Sequence, residues 1–111
     1  MESRTVSLLW DGPERDILSL LPSPWRDDFG ADPDEVDLRL VLYRVLDEHE
    51  EATGDIVGVE IDDFLTFDRW HALPELPHRW HLPDTEPLPL KELLQRLQVK
   101  LRNRAKMAAH A

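Results

Sequence analysis

The amino-acid sequence predicts an α+β fold in which a four-stranded antiparallel sheet is covered on one face by a C-terminal amphipathic helix. Three observations lead to this prediction: two strand–turn–strand patterns, a proline-rich stretch, and a leucine stripe at helical spacing near the C-terminus. We expect a single domain, because 111 residues are few for more than one. It would comprise a sheet body at 5–65, a proline-rich arm at 66–88 and a basic amphipathic helix at 89–108.

The first strand–turn–strand pattern predicts strands at about residues 5–10 and 16–21. Alternating apolar residues run up to Trp10, and an Asp-Gly-Pro turn follows at 11–13. A helix beginning at Pro13 is the alternative, because the apolar residues at 17, 18 and 21 also fit helical spacing. Prolines at 22 and 24 end either element, and residues 23–35 are predicted to be an acidic loop.

The second pattern predicts strands at about residues 36–46 and 55–61, joined by a polar turn. Apolar residues alternate on both faces of 36–46, which is typical of a strand covered on both sides. The second cover would be the C-terminal helix or a partner subunit. Gly58 lies within the last strand, where glycine often marks a bulge or a close approach of another backbone.

A proline-rich arm follows the predicted sheet and contains a short repeat. Asp62 or Asp63 is suited to cap a short helix through about Trp70. Beyond that helix, the proline density excludes regular helix and favours an extended chain. Arg-Trp-His occurs at 69–71 and again at 79–81, so we expect Trp70 and Trp80 to pin the arm to a surface.

The last predicted element is a helix at about residues 89–107, with Pro89 suited to its first position. One face is basic and carries Arg96, Lys100, Arg102 and Lys106. The apolar stripe at spacings of three and four consists of Leu90, Leu93, Leu94, Leu97 and Leu101. Because an isolated helix of this length is marginal in water, the stripe must be buried. It packs either on the chain's own sheet or against the helix of a second copy.

Two stretches of the strand patterns carry a family resemblance. They read Trp-Asp-Gly-Pro-Glu-Arg-Asp-Ile-Leu at 10–18 and Gly-Asp-Ile-Val-Gly-Val-Glu-Ile at 54–61. They resemble the aromatic-Asp turn and the last strand of a family of short bacterial proteins, the domain-of-unknown-function family numbered 2283. The resemblance covers about residues 5–65. It implies a small antiparallel sheet and brings no catalytic, ligand-binding or metal-binding residue.

Charge is strongly segregated along the chain. The formal net charge is −10, but residues 1–88 carry a net −15 and residues 89–111 a net +5. An acidic body repels phosphates, which disfavours nucleic acid as a partner. The basic helix is expected to dock on the acidic body of its own chain or of a neighbouring copy. We therefore expect a homodimer, with a separate protein partner as the alternative.

The absence of cysteine excludes disulfides, thiolate nucleophiles and zinc sites built on cysteine. No apolar run approaches the roughly 18 residues needed to cross a bilayer, and the first residues lack the features of a signal peptide. The sequence therefore predicts a cytoplasmic protein without a membrane partner.

The histidines of the arm are the residues that most invite a metal-site interpretation. His71, His78 and His81 lie near Asp68 and Asp84, and a His-x-x-His spacing suits two ligands. Arginines at 69 and 79 oppose a cation, so we expect these histidines to be solvated or packed on tryptophan, and no cofactor. The sequence has no Gly-x-Ser-x-Gly motif and no phosphate loop.

These features favour a non-enzymatic protein-interaction or assembly module that acts as a homodimer. Two alternatives stay open: a metal-dependent enzyme using the His/Asp cluster of residues 68–84, and a nucleic-acid-associated regulator using the basic helix. The residues predicted to form the interaction surface are Trp70, Trp80, Leu90, Leu94, Leu97 and Leu101.

Overall fold

The computed structural model describes residues 3–22 and 31–109, which contain six strands and one α-helix. The strands are β1 (Ser3–Asp11), β2 (Ile17–Pro22), β3 (Ala31–Asp37), β4 (Leu40–Leu46), β5 (Ala52–Asp62) and β6 (Arg79–His81). Two 3₁₀ turns, Phe64–Thr66 and Trp70–Ala72, lie between β5 and β6, and the helix α1 spans Leu90–Ala109. The predicted C-terminal helix is confirmed, and β2 is a strand rather than a helix from Pro13.

The strands form one mixed sheet in the order β3-β4-β5-β2-β1-β6. All neighbouring strands are antiparallel except β1 and β6, which are parallel. The four central strands correspond to the two predicted hairpins, and the α+β class is confirmed. The prediction of a four-stranded, purely antiparallel sheet is corrected, because β3 and β6 add one strand to each edge.

The stretch predicted as a single strand at 36–46 is divided by a turn between the end of the edge strand β3 and the strand β4. The chain turns at Leu38 and Arg39, where Arg39 takes a left-handed conformation with φ of 70° and ends the strand. Asp37 Oδ1 accepts a hydrogen bond from the Leu38 amide at 2.6 Å, which stabilises the turn without the usual Asn-Gly signal. Residues 31–35, predicted as loop, belong to β3, and residues 23–30 of that loop lie outside the described residues.

The arm, predicted as extended chain, contains the short edge strand β6. Its three residues pair in parallel register with β1. On its other side, Trp80 exchanges two backbone hydrogen bonds with Leu88, at 2.7 and 2.9 Å. A strand of three residues between prolines is too short to produce a periodic pattern, which is why the sequence did not predict it.

The helix predicted at 62–70 is replaced by the two 3₁₀ turns, and Asp63 makes no side-chain capping hydrogen bond. Asp16, in the β1–β2 turn, binds the first 3₁₀ turn from another part of the chain. Its Oδ2 accepts from the Leu65 amide at 2.8 Å, and its carbonyl accepts from the Phe64 amide at 3.1 Å. Its Oδ1 accepts from Trp10 Nε1 at 2.9 Å. One residue therefore joins the first hairpin to the segment after β5.

Gly58 lies where β4 and β5 change register and where the backbone of β2 comes close. A Cβ atom at this position would stand 3.0 Å from the Leu20 carbonyl oxygen and 3.1 Å from Leu21 Cδ2. The close approach that the sequence predicted for this glycine is therefore present, and the register shift between Tyr43 and Arg44 marks the irregularity.

Helix α1 covers one face of the sheet and supplies much of the core. Trp80 of β6 is fully buried in this core. Gln98 is a buried polar residue of the helix, and its Nε2 donates to the carbonyls of Phe64 and Phe67, each at 2.8 Å. The buried leucines of the helix are Leu90, Leu93, Leu94, Leu97 and Leu101.

The opposite face of the sheet carries no second layer within the described ranges, because α1 and both 3₁₀ turns contribute to the core on the first face. By alternation along the strands, Leu9, Val41 and Tyr43 point to this open face. Leu9 is 64% exposed there. Near the middle of the face, the Tyr43 hydroxyl donates to Glu60 Oε2 at 2.8 Å.

Replacing Gln98 by methionine should lower the free energy of unfolding by about 1–3 kcal/mol. The side-chain volume is nearly kept, but the carbonyls of Phe64 and Phe67 would lose their donor. Urea denaturation measures the loss. Gln95→Met, on the exposed side of the same helix, is the matched control. Equal stability of the two variants would contradict the role given to Gln98.

Replacing Asp16 by alanine should lower the free energy of unfolding by about 2–4 kcal/mol. The carboxylate that accepts from Trp10 and Leu65 is lost, and alanine must adopt the positive φ of this position. Asp84→Ala is the control, since Asp84 also has positive φ (71°, against 52° for Asp16) and an exposed side chain. Thermal denaturation of both variants separates the hydrogen bonds from the backbone strain. A loss no larger than that of Asp84→Ala would show that the bonds to Trp10 and Leu65 contribute little.

Candidate interaction surfaces

The basic face of α1 is exposed to solvent rather than docked on the acidic body. Arg96 pairs with Glu92 one turn back, at 2.9 Å, and Arg102 Nε donates to the Leu65 carbonyl at 2.6 Å. Within the part of the chain that the structure describes, no ion pair joins α1 to an acid of the sheet. The exposed cations of this face are Lys91, Arg96, Lys100, Arg102, Arg104 and Lys106.

A second surface, the acidic turn (residues 34–38), lies at the β3 edge of the sheet and combines acids with exposed apolar side chains. Leu38 is 63% exposed and Val36 is 36% exposed. Asp34 pairs with Arg44 at 2.8 Å, and Asp37 lies 3.0 Å from Arg69 Nε. The Arg69 guanidinium and the Leu38 amide hold the pKa of Asp37 below its usual value. The turn is therefore held in shape from both sides.

A third surface, the leucine groove, lies between α1 and the chain that follows β6. It has a volume of about 250 Å³. Leu82 and Leu88 are half-buried and form its apolar floor together with two buried leucines of the helix. Arg96 and Lys100 line its rim, with Glu86 as an acid beside them. This groove can receive an apolar side chain flanked by negative charge.

A larger groove of about 510 Å³ lies between the second 3₁₀ turn and the start of α1. Trp70 forms one wall, and its ring meets that of Phe67 edge to face, with centroids 4.9 Å apart. Pro74 and Leu76 form another part of the wall, and Lys91 lines the opening. The lining mixes apolar and charged groups.

The residues that the sequence singled out for interaction are largely core residues in the described chain. Trp80 is fully buried, and Trp70 is half-buried against the core. The four leucines at 90, 94, 97 and 101 are each no more than 4% exposed. They pack on the chain's own sheet, which is the first of the two alternatives for the stripe. The exposed surface of the helix carries its cations, together with Val99 and Met107.

The three arm histidines stand in separate environments and do not converge. His71 is exposed. His78 Nε2 lies 3.7 Å from Asp55 Oδ1, and the same carboxylate accepts a hydrogen bond from Arg4. His81 Nε2 lies 2.9 Å from Thr5 Oγ1. Among the described residues, no group of three or more His, Asp and Glu side chains is arranged to hold a metal ion.

The Tyr43–Glu60 pair is a polar interaction on the open face of the sheet. Partial burial, together with the hydrogen bond to the Glu60 carboxylate and its charge, raises the pKa of Tyr43 to about 12. The carboxylate therefore keeps a hydroxyl donor throughout the ordinary pH range.

Searches of protein-family models, of curated proteins and of solved structures each returned no match to this chain. The resemblance of residues 5–65 to the family numbered 2283 stays a prediction. Within the described ranges, no helix combines the length and the apolarity that a membrane crossing requires.

Sequence reasoning missed the acidic turn and the leucine groove. Leu38 was placed inside a strand and so counted as an interior residue. The leucines at 82 and 88 lie in the proline-rich arm, where no periodicity assigns them a face. No periodic signal in the sequence marks the turn, because polar and apolar residues keep alternating from Glu35 to Leu40.

Replacing Glu60 by glutamine should lower the pKa of Tyr43 from about 12 toward the ordinary value of 10.0. The sole tyrosine of the chain makes a near-ultraviolet titration of tyrosinate a single-site measurement. The matched control is Glu51→Gln, which makes the same charge change at an exposed position. In the native protein the folded pKa lies above the unfolded one, so stability should fall as pH rises from about 10 to about 12. An unchanged midpoint of the tyrosinate titration in Glu60→Gln would contradict the role given to Glu60 in raising the pKa of Tyr43.

Proposed function

We propose that this protein is a non-enzymatic interaction or assembly module that acts as a homodimer. The observation that carries the proposal is the exposure of opposite charges on separate surfaces of one chain. The basic face of α1 makes no ion pair with the sheet in the described part, and at the β3 edge Glu35 makes none, whereas Asp34 and Asp37 pair with arginines. A second copy supplies each surface with its complement.

Two-fold symmetry doubles the number of contacts between the basic and the acidic surfaces. In a two-fold dimer each contact between different surfaces occurs twice, because each copy carries both the basic face and the acidic edge. A basic helix on an acidic body also speeds encounter, since opposite potentials steer the two copies together. At a salt concentration of about 0.1 M, this attraction is largely screened at separations beyond about 10 Å.

The edges of the sheet favour association through side chains rather than through strand pairing. The edge strand β3 contains Pro33 and a series of acids, which discourage another strand from adding to it. At the opposite edge, the outer side of Trp80 in β6 is already bonded to Leu88. We therefore place the interface on side-chain surfaces.

A nucleic-acid-associated regulator is the second candidate, and the exposed cations of the basic face favour it. The net −15 of residues 1–88 opposes it, because phosphates approaching the helix also meet the acidic body. The metal-dependent enzyme has no comparable observation in its favour among the described residues.

Light scattering tests the proposal on the intact chain. We expect a dimer at concentrations on the order of tens of micromolar in about 50 mM salt, with dissociation increasing toward about 500 mM. The double variant Lys100→Glu/Arg104→Glu should weaken the dimer at low salt. Arg15→Glu, a charge reversal at another exposed position, in the β1–β2 turn, should change it less.

A monomer throughout this concentration range at low salt would contradict the proposed function. A gel-shift assay with short duplex DNA and single-stranded RNA, at the same low salt, tests the second candidate. Binding by the wild-type chain that is lost in Lys100→Glu/Arg104→Glu would favour the regulator. No binding at that salt would remove it, because electrostatic affinity is greatest there.

A further inference from the structure

The tip of the acidic turn presents a leucine in a fixed geometry. Leu38 stands in the short turn between β3 and β4 with 63% of its side chain exposed. Its amide is bound by Asp37, the next residue has positive φ, and Asp37 is also held by Arg69. The backbone of a turn held in this way loses little conformational freedom when the turn binds.

The leucine groove offers the matching surface. Leu82 and Leu88 give it an apolar floor, so an inserted leucine would be removed from water there. Arg96 already pairs with Glu92, whereas Lys100 makes no ion pair in the described part of the chain and stands at the rim. Lys100 is therefore the cation available to an incoming carboxylate.

We propose that the leucine groove receives the acidic turn of a second copy, with Leu38 inserted on the floor and Glu35 facing Lys100. This inference rests on the proposed homodimer and names its two contact surfaces. Charge complementarity selects the occupant: among the described residues Glu35 is the acid of the turn without an ion pair, and Lys100 is the corresponding cation at the rim of the apolar groove. Glu86 is the single acid among the described residues of the lining.

The two surfaces cannot meet within one chain. The acidic turn lies at the β3 edge, and the groove adjoins the chain that follows β6, at the opposite edge of the six-stranded sheet. Strands are spaced about 4.8 Å apart, so the edges are about 24 Å from each other. A second copy must supply the turn, and a two-fold dimer makes the contact twice.

The variant Leu38→Ser tests the insertion, and Leu9→Ser is its matched control. The two leucines are 63% and 64% exposed, but Leu9 lies on the open face of the sheet, away from the acidic turn. Sedimentation equilibrium should show a dimer dissociation constant raised at least about tenfold by Leu38→Ser and less than about threefold by Leu9→Ser. Circular dichroism and thermal denaturation verify that both variants remain folded.

A mixing experiment tests the pairing of the two surfaces. Glu35→Lys places like positive charges in both contacts of its homodimer, and Lys100→Glu places like negative charges there. Mixed together, the two variants bring opposite charges together in both contacts, because the groove of each meets the turn of the other. The mixture should therefore form a heterodimer more tightly than either variant forms a homodimer. No such gain would overturn the proposed contact.

The outcomes separate this inference from the proposed function. A wild-type monomer contradicts both. A wild-type dimer that Leu38→Ser and Leu9→Ser weaken equally contradicts the insertion and leaves the homodimer intact. A dimer weakened more by Leu9→Ser assigns the interface to the open sheet face and overturns the inference. Masses that grow beyond two copies with concentration contradict the closed, two-fold arrangement.

Discussion

The burial of the leucine stripe of α1 on one face of the sheet is the constraint on which the other features depend. Each leucine removed from water contributes on the order of 1.5–3 kcal/mol, so this contact is a principal source of stability for a small domain. The stripe directs the basic side chains of the helix outward, because its apolar side is already occupied. It also leaves the opposite face of the sheet without a layer in the described chain.

Two polar side chains make this packing possible at the places where the backbone is irregular. The segment after β5 has no regular ladder, so its amides and carbonyls need other partners once they are covered. Asp16 accepts from two amides of the first 3₁₀ turn, and Gln98 donates to two carbonyls of the same segment. One residue comes from the β1–β2 turn and the other from the helix. The segment is thus fastened to both layers.

The sequence predicted the features that depend on periodicity and missed those that depend on tertiary contacts. The central hairpins and α1 were predictable because alternation and helical spacing extend over enough residues. The break at Leu38 was not predictable, since the alternation continues through a turn that Asp37 stabilises. The strand β6 was not predictable either, because it forms only by pairing with β1, which is distant in the sequence. The same limit applies to the surfaces: the basic helix was visible in the sequence, whereas the groove beside it exists only after the arm folds back.

The segment after β5 connects the helix to the acidic turn as well as to the first hairpin. Gln98 binds the Phe67 carbonyl, and Arg69, two residues further on, pairs with Asp37. The position of the acidic turn is therefore set through the same segment that α1 holds in place. A surface built in this way keeps its shape only while the helix remains packed. Because the stripe is covered by the chain's own sheet, association between copies must use the residues outside the core. Among the described residues, the surfaces outside the core include the cations of α1, the open face of the sheet and the acidic edge, so a dimer formed through the charged surfaces would be sensitive to salt.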